Sequence, residues 1–125
     1  MSQFVILIHD HPFLHWDLLV RRGDVLRSWR LLESPERWQF NALSASLSAE
    51  AIANHRLAYL DYEGPVSRER GQVVRWDHGA AEWLIDEVGA IRWRLDGDKL
   101  VGELSLDRDA ALSLWTARFF PAVPA

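Results

Sequence analysis

Three histidines and two aspartates lie within nine consecutive residues, from His9 to Asp17, in a chain that has five histidines in all. Neutral imidazole nitrogens and carboxylate oxygens are ligands for manganese, iron and zinc. Two histidines and one carboxylate would leave further coordination positions open for water or substrate, which metal-assisted hydrolysis requires. This segment is therefore a candidate site for a divalent metal ion.

Strand periodicity sorts the side chains of this segment onto two faces. Leu14–Arg21 alternates between polar and apolar residues, which predicts a strand. His15 and Asp17 stand two residues apart, so a strand points both side chains to the same face. The opposite face carries four apolar side chains that we expect to enter a core: Leu14, Trp16, Leu18 and Val20.

His9 reaches the same site only if two strands pair. Phe4–Ile8 is a short apolar run that predicts a buried strand directly before His9, and Pro12 interrupts the chain after it. Pairing of the two strands would bring the three ligands together and leave His11 in the connecting loop. Two other interpretations stay open: a solvated polar loop, and an imidazole that is hydrogen-bonded to a carboxylate without a metal.

His55 is a second candidate functional residue, between Asn54 and Arg56. Its imidazole could hold a phosphate or donate a proton, and the alternative is a surface histidine at the end of an element. His78 is assigned to a turn.

Two groups of arginines could bind phosphate or lie on a solvated face. The first group is Arg21, Arg22, Arg27 and Arg30, and the second is Arg68 and Arg70.

Composition limits the class of protein. The 125 residues are expected to form a single domain over 1–125, and seven tryptophans supply large apolar surfaces. The absence of cysteine excludes disulfides and thiolate metal sites. A formal net charge of −4 argues against broad adhesion to nucleic acid. No apolar run is long enough for a signal peptide or a membrane span, so a cytoplasmic location is expected.

Many short strands with turns between them predict a compact antiparallel β-barrel. Strands are expected at Phe4–Ile8, Leu14–Arg21, Val25–Leu32, Leu57–Tyr62, Gln72–Trp76, Ala81–Ile85, Ile91–Leu95 and Lys99–Leu106. A serine cap and good helix formers favour a short helix over Ser46–Asn54, with a loop as the alternative. Asp107–Phe119 predicts a C-terminal helix that begins near Asp109. Its apolar side would consist of Ala110, Leu112, Leu114 and Trp115.

The order of these segments resembles the 3′-phosphoesterase domain family of bacterial DNA ligase D. That family has a histidine, a short spacer and then His-Tyr-Asp on a strand, which matches His9 and His15–Asp17. The similarity runs from Phe4 to Leu106. Four further stretches match in the same order: Leu26–Trp29, Asn54–Gly64, Gly71–Gly79 and Leu95–Gly102.

The resemblance implies a β-barrel with a manganese-dependent active site that trims nucleic-acid 3′ ends, removing a terminal phosphate or ribonucleoside. It implies His9, His15 and Asp17 as metal ligands. It also implies that His55 contacts the scissile phosphate and that Tyr59 lines the site. Zinc or another transition metal is the alternative to manganese, and no organic cofactor is expected. We expect nucleic-acid 3′ ends as substrate, a DNA repair ligase or polymerase as a partner, and a monomer.

Three positions depart from the family where it binds phosphate. Leu19 stands where the family has an arginine, Glu33 stands where it has a lysine, and Leu47–Asn54 lacks a basic residue. Such cations stabilise transition-state charge, so their loss predicts a slower enzyme. Two further hypotheses therefore stay open: a catalytically weakened module that binds a metal or nucleic acid, and a structural relic without a metal.

Overall fold

The fold is a closed antiparallel barrel. The computed structural model describes residues 1–40, 45–111 and 113–123. The elements are β1 (Ser2–His9), β2 (His15–Arg22), β3 (Val25–Leu31), α1 (Glu36–Phe40), β4 (Ser46–Arg56), a 3-10 turn (Leu57–Leu60), β5 (Gly64–Pro65), β6 (Gln72–Glu87), β7 (Ala90–Gly97), β8 (Val101–Asp109) and β9 (Leu114–Pro121). Strands pair in the order β1–β2–β3–β4–β9–β8–β7–β6, and β6 pairs with β1 to close the ring. The prediction of a mostly β protein with an antiparallel barrel is confirmed.

Tryptophans fill the barrel interior. Trp29 and Trp93 are almost fully buried and meet edge to face, with ring centres 5.3 Å apart. Trp83 packs in the same way against Trp93, and Trp115 against Trp29. All eight barrel strands contribute side chains to this core. Burial of so much aromatic surface is the main source of the stability of the fold.

A second, smaller apolar cluster lies on the outer face of β1, β2 and β3. Val5, Leu7, Leu19 and Leu26 form its floor, and Val66, Val73 and the 3-10 turn cover it. These strands are therefore covered on both faces, which explains why β1 has a continuous apolar run instead of an alternating one. The polar candidate residues lie on this outer face.

Periodicity in β2 is mostly as predicted. Leu18 and Val20 enter the interior and Trp16 packs against it, whereas Asp17 and its neighbours at i±2 belong to the outer face. The prediction for Leu14 is wrong, because β2 begins one residue later and Leu14 is 58% exposed.

The predicted C-terminal helix is wrong, because this part of the chain forms the β8–β9 hairpin. The Asp109 carboxylate accepts a hydrogen bond from the backbone of Ala111, so it stabilises a turn instead of a helix start. Ala117 and Phe119 are two apart and both buried. β9 also pairs with β4, and this closure of the barrel outweighs local helix propensity. Leu112 lies outside the described residues.

Three smaller predictions also fail. The short helix over Ser46–Asn54 is wrong, because this segment belongs to β4, which pairs with β3 and β9. The strand at Leu57–Tyr62 is wrong, because Leu57–Leu60 forms the 3-10 turn. The two separate strands at Gln72–Trp76 and Ala81–Ile85, with His78 in a turn, are wrong too, because β6 runs without interruption through His78 and Gly79. A Cβ at Gly79 would lie 2.0 Å from the Asp96 carbonyl oxygen, so the glycine permits close approach of β7. Among the described helices, none is long and apolar enough to cross a membrane.

Candidate metal centre and adjoining cleft

His9, His15 and Asp17 converge on the outer face of the barrel. The β1–β2 register places His9 directly opposite His15, and Asp17 follows two residues later on the same face. One ligand atom from each of the three residues lies within 4.8 Å of the others. The Asp17 carboxylate has Oδ2 3.1 Å from His9 Nδ1 and Oδ1 3.0 Å from His15 Nε2.

Backbone carbonyls determine which nitrogen of each imidazole carries a proton. His9 Nε2–H donates to the Arg70 carbonyl oxygen at 2.9 Å, and His15 Nδ1–H donates to the Phe13 carbonyl oxygen at 2.8 Å. The remaining nitrogen of each ring faces the Asp17 carboxylate. Hydrogen bonds of this kind orient metal-binding histidines in many proteins.

The burial of these acceptors tests whether the residues fit a metal. His15 and Asp17 are 0% and 2% exposed, and within the described part of the chain His15 Nε2 and Asp17 Oδ1 have no hydrogen-bond partner. Two buried acceptors 3.0 Å apart repel each other unless a proton or a metal ion lies between them. A single divalent ion would satisfy all three residues, so the donor set fits a metal.

The surroundings keep Asp17 ionised. Burial alone would raise the pKa of this carboxyl, but the contact with His15 and the charges of His15, His9 and His55 outweigh it and lower the pKa. An ionised carboxylate is the form that binds a cation.

His55 lies at the end of β4, where a register shift between Leu26 and Ser28 brings it beside the outer face of β3. Its Nδ1 is 2.8 Å from Ser28 Oγ and 3.1 Å from the Ala53 carbonyl oxygen. Ser28 Oγ donates its own proton to the Leu26 carbonyl oxygen at 2.9 Å. Nδ1 of His55 therefore carries the proton and donates it, which leaves Nε2 as the nitrogen that can exchange a proton with a ligand.

The environment of His55 favours its neutral form. Burial lowers the pKa of His55, and His9 and Arg70 act in the same direction, while Asp17 and the Ala53 carbonyl oppose the shift. The Tyr59 ring meets the imidazole edge to face, with ring centres 5.4 Å apart. Tyr59 and His55 therefore lie in direct contact.

An open cleft of about 480 Å³ joins these groups. His9 and Asp17 lie on its lining together with His55 and Tyr59. The structure therefore brings the candidate metal ligands and the candidate phosphate contact to one cavity. His15 is the ligand that lies beneath the surface, fully buried.

Three arginines line the same cleft: Arg30, Arg56 and Arg70. Other members of the predicted basic groups lie elsewhere. Arg22 and Arg27 both pair with Asp86 and stack on Trp83. Only part of the predicted basic surface is therefore available to a ligand in the cleft.

The departures from the family pattern have structural counterparts. Leu19 is fully buried in the outer apolar cluster. Glu33 forms an ion pair with Arg37 and accepts a hydrogen bond from the Ser48 backbone, so it fastens α1 to β4. Neither position offers a cation to the cleft.

Two residues near the site have roles that sequence reasoning missed. Ser28 Oγ accepts a hydrogen bond from His55 Nδ1–H. The sequence does not predict this contact, because it depends on the β3–β4 register. Asp10 accepts a hydrogen bond from the Gln72 backbone at 2.8 Å and fastens the segment before β6. A Cβ at Gly71 would lie 2.2 Å from this carboxylate, and its φ is +73°, so glycine is required there.

Two comparisons with known proteins identify the family of the chain. Residues 8–108 match the family described as DNA Ligase D 3′-phosphoesterase domain. The chain is also 30% identical over 118 residues to the "Multifunctional non-homologous end joining protein LigD" of Pseudomonas aeruginosa, a match that covers 86% of this chain and 13% of that protein. The chain belongs to the DNA ligase D 3′-phosphoesterase domain family.

Proposed function

We propose that this protein is a metal-dependent phosphoesterase that removes a 3′-phosphate or a 3′-terminal ribonucleotide from nucleic-acid ends. The observation that carries the proposal is the convergence of one nitrogen each of His9 and His15 on the buried Asp17 carboxylate, at 3.1 and 3.0 Å. Membership of the 3′-phosphoesterase family supports this choice of substrate. Manganese is the proposed metal, with zinc or another transition metal as the alternative.

Each residue has a separate task in this proposal. His9, His15 and Asp17 would hold the metal, which when bound would polarise a phosphoryl oxygen and lower the pKa of water. His55 exchanges a proton through Nε2, because Ser28 and a backbone carbonyl keep Nδ1 protonated. Tyr59 packs against this imidazole and limits its rotation.

Metal binding and turnover can be tested with the same preparation. Manganese should raise the melting temperature of the wild-type protein, since a ligand that binds only the folded state stabilises it. The manganese-loaded protein should convert a 3′-phosphorylated oligonucleotide, or one with a single 3′-terminal ribonucleotide, to a 3′-hydroxyl end. His15→Ala should abolish both effects.

His78→Ala is the matched control for loss of a histidine. His78 is half-exposed and contacts Asp98, away from the cleft, so this variant should keep both effects. Failure of the manganese-loaded wild-type protein to convert either substrate would rule out the proposed activity.

A non-catalytic binding module of the same fold is the second candidate. The buried Leu19 and the paired Glu33 favour it, because the cleft lacks cations that the family resemblance leads us to expect. This module would show manganese binding without turnover, and its binding to a nucleic-acid end would be insensitive to His55→Ala.

Domain organisation, oligomeric state, location and partners are also part of the proposal. A single domain over 1–125, a monomer, a cytoplasmic location and a repair ligase or polymerase as partner remain predictions. The name of the Pseudomonas aeruginosa relative refers to end joining, which supports a role in DNA repair.

A further inference from the structure

We propose that Arg30 is the phosphate-binding cation of this site. It would act from β3 in place of the arginine that the family resemblance leads us to expect at position 19 on β2. This inference rests on the proposed function, because it assigns a residue to the phosphoryl group of the same substrate.

The strand register places Arg30 beside the candidate metal ligands. Arg30 is the direct partner of Asp17 in the β2–β3 pair, and both residues line the cleft that contains His55. Leu19 is the partner of Ser28, one step further along the same outer face. β3 therefore offers a cation to the cleft at Arg30, whereas position 19 on β2 carries an apolar side chain.

The Arg30 guanidinium has hydrogen-bonding capacity that the fold does not use. Its Nε is buried and has no hydrogen-bond partner among the described residues. Asp17 and Glu50 flank it on the neighbouring strands, yet the ion pairs of the described chain do not include Arg30. The Phe13 ring lies 5.4 Å from the guanidinium carbon and positions it at the edge of the cleft. A partly buried guanidinium with unused donors is suited to a bidentate phosphate contact.

The other two arginines of the cleft are less suited to this role. Arg70 already donates through Nε to the Ser67 carbonyl oxygen and through Nη2 to Ser67 Oγ. Arg56 is exposed to solvent, where a phosphate contact is weak. Arg30 is the one whose donors are both partly buried and unused in the described structure.

Sulfate binding tests the proposal without any need for turnover. The probe is sodium sulfate added to the manganese-loaded protein at constant ionic strength, with the melting temperature as readout. Arg30→Ala should weaken apparent sulfate affinity about 10-fold or more, as expected for loss of hydrogen bonds to a charged group. Arg30→Lys should recover part of it. Arg94→Ala, an exposed arginine that pairs with Glu82 on the opposite part of the barrel, should bind sulfate as wild type does.

The manganese response separates phosphate binding from a purely structural role. If Arg30 only balances the charge of Asp17, Arg30→Ala should change the manganese-induced rise in melting temperature measured without sulfate, and Arg30→Lys, which keeps the charge, should restore it. If Arg30 binds phosphate, this rise should be the same in wild type and in both variants, and only the sulfate affinity should fall. Wild-type sulfate affinity in Arg30→Ala, or a manganese response that changes in Arg30→Ala and is restored in Arg30→Lys, would overturn the proposal.

Turnover distinguishes this inference from the proposed function. An active protein in which Arg30→Ala leaves kcat/KM for the 3′-phosphorylated oligonucleotide unchanged would reject Arg30 and keep the phosphoesterase. Arg30-dependent sulfate binding by a protein without turnover would reject the phosphoesterase and keep Arg30. If both proposals hold, Arg30→Ala should lower kcat/KM about 10- to 100-fold.

Discussion

The inner and outer faces of the first three strands differ in the kind of buried polar atom that lacks a hydrogen-bond partner among the described residues. Inside the barrel, the indole N–H groups of Trp29 and Trp93 lack hydrogen-bond acceptors among the described residues, but their rings pack edge to face. Outside, the unpartnered atoms of His15 and Asp17 are both acceptors and lie 3.0 Å apart. An unpartnered donor among aromatic rings is tolerated through weak contacts, whereas adjoining acceptors require a proton or a metal ion between them.

The inner face therefore supplies most of the stability, and the outer face carries the candidate metal site. The inner face has the aromatic and aliphatic packing that a barrel needs. The outer face keeps an electrostatic conflict that packing alone does not resolve. Functional sites commonly retain such locally unfavourable arrangements at a cost in stability. The comparison predicts that mutations on the inner face lower stability and leave the manganese response intact, whereas mutations at the outer-face site remove the manganese response.

The largest stability effect should come from the inner face. Trp93→Ala removes a fully buried ring and should lower the free energy of unfolding by about 3–5 kcal/mol. Denaturant unfolding of the metal-free protein measures this loss. The variant should keep a manganese-induced rise in melting temperature, because Trp93 does not reach the outer face. Loss of that rise in a folded Trp93→Ala protein would show that the two faces are not independent.

The second effect is smaller in the metal-free protein and larger in its response to manganese. Asp17→Asn removes the carboxylate whose ionised form is favoured in the fold, where the contact with His15 and the nearby histidines hold its pKa below the ordinary value. The metal-free variant should therefore lose about 1–3 kcal/mol of stability. It should also lose the manganese response, because the neutral amide is a poor ligand for a divalent cation. A metal-free Asp17→Asn protein that is more stable than wild type would contradict the lowered pKa of Asp17.

Sequence reasoning was most successful where the structure depends on neighbours in the chain. The two-residue spacing of His15 and Asp17 predicted their shared face, and the strands predicted at Leu14–Arg21 and Val25–Leu32 correspond to β2 and β3, which the structure pairs. The barrel followed from strand-sized segments separated by turns. The positions of His9 and His55 were implied by the family resemblance, and the structure places both at the cleft.

Sequence reasoning failed where distant pairing decides the outcome. The residues of β9 have adequate helix propensity, but they form the strand that joins β4 to β8. The roles of Ser28 and Arg30 depend on register with β4 and β2, which no local pattern encodes. The sequence analysis included Arg30 in a group of arginines that could bind phosphate, but only the β2–β3 register shows that it lies beside Asp17.

A smaller effect should come from Ser28, which acts on His55 instead of on the metal. Ser28→Ala removes one of the two acceptors of His55 Nδ1–H and should cost about 1 kcal/mol of stability. If the proposed activity holds, kcat should fall more than the manganese affinity, and its pH profile should shift. Ser105→Ala is a matched control, since Ser105 is also buried but bonds to the Arg118 carbonyl oxygen. Equal changes in both variants would indicate a structural effect only.

The smallest effect is the pH dependence of stability that His55 contributes. Burial lowers its pKa in the folded protein below the ordinary value of 6.5, so the unfolded chain binds the proton more readily. Stability from this group is therefore fully present above pH 6.5 and decreases as the pH falls below it. The lowered pKa of Asp17 acts in the same direction but at more acidic pH, as the folded-state carboxylate becomes protonated.

Melting temperatures of metal-free wild type and His55→Gln between pH 7.5 and about pH 5 isolate the contribution of His55. The variant should lose less stability over this range than wild type, because glutamine has no proton to gain. An equal loss of stability in both proteins would show that the His55 imidazole is solvated. It would then remove the basis for a neutral imidazole at the cleft.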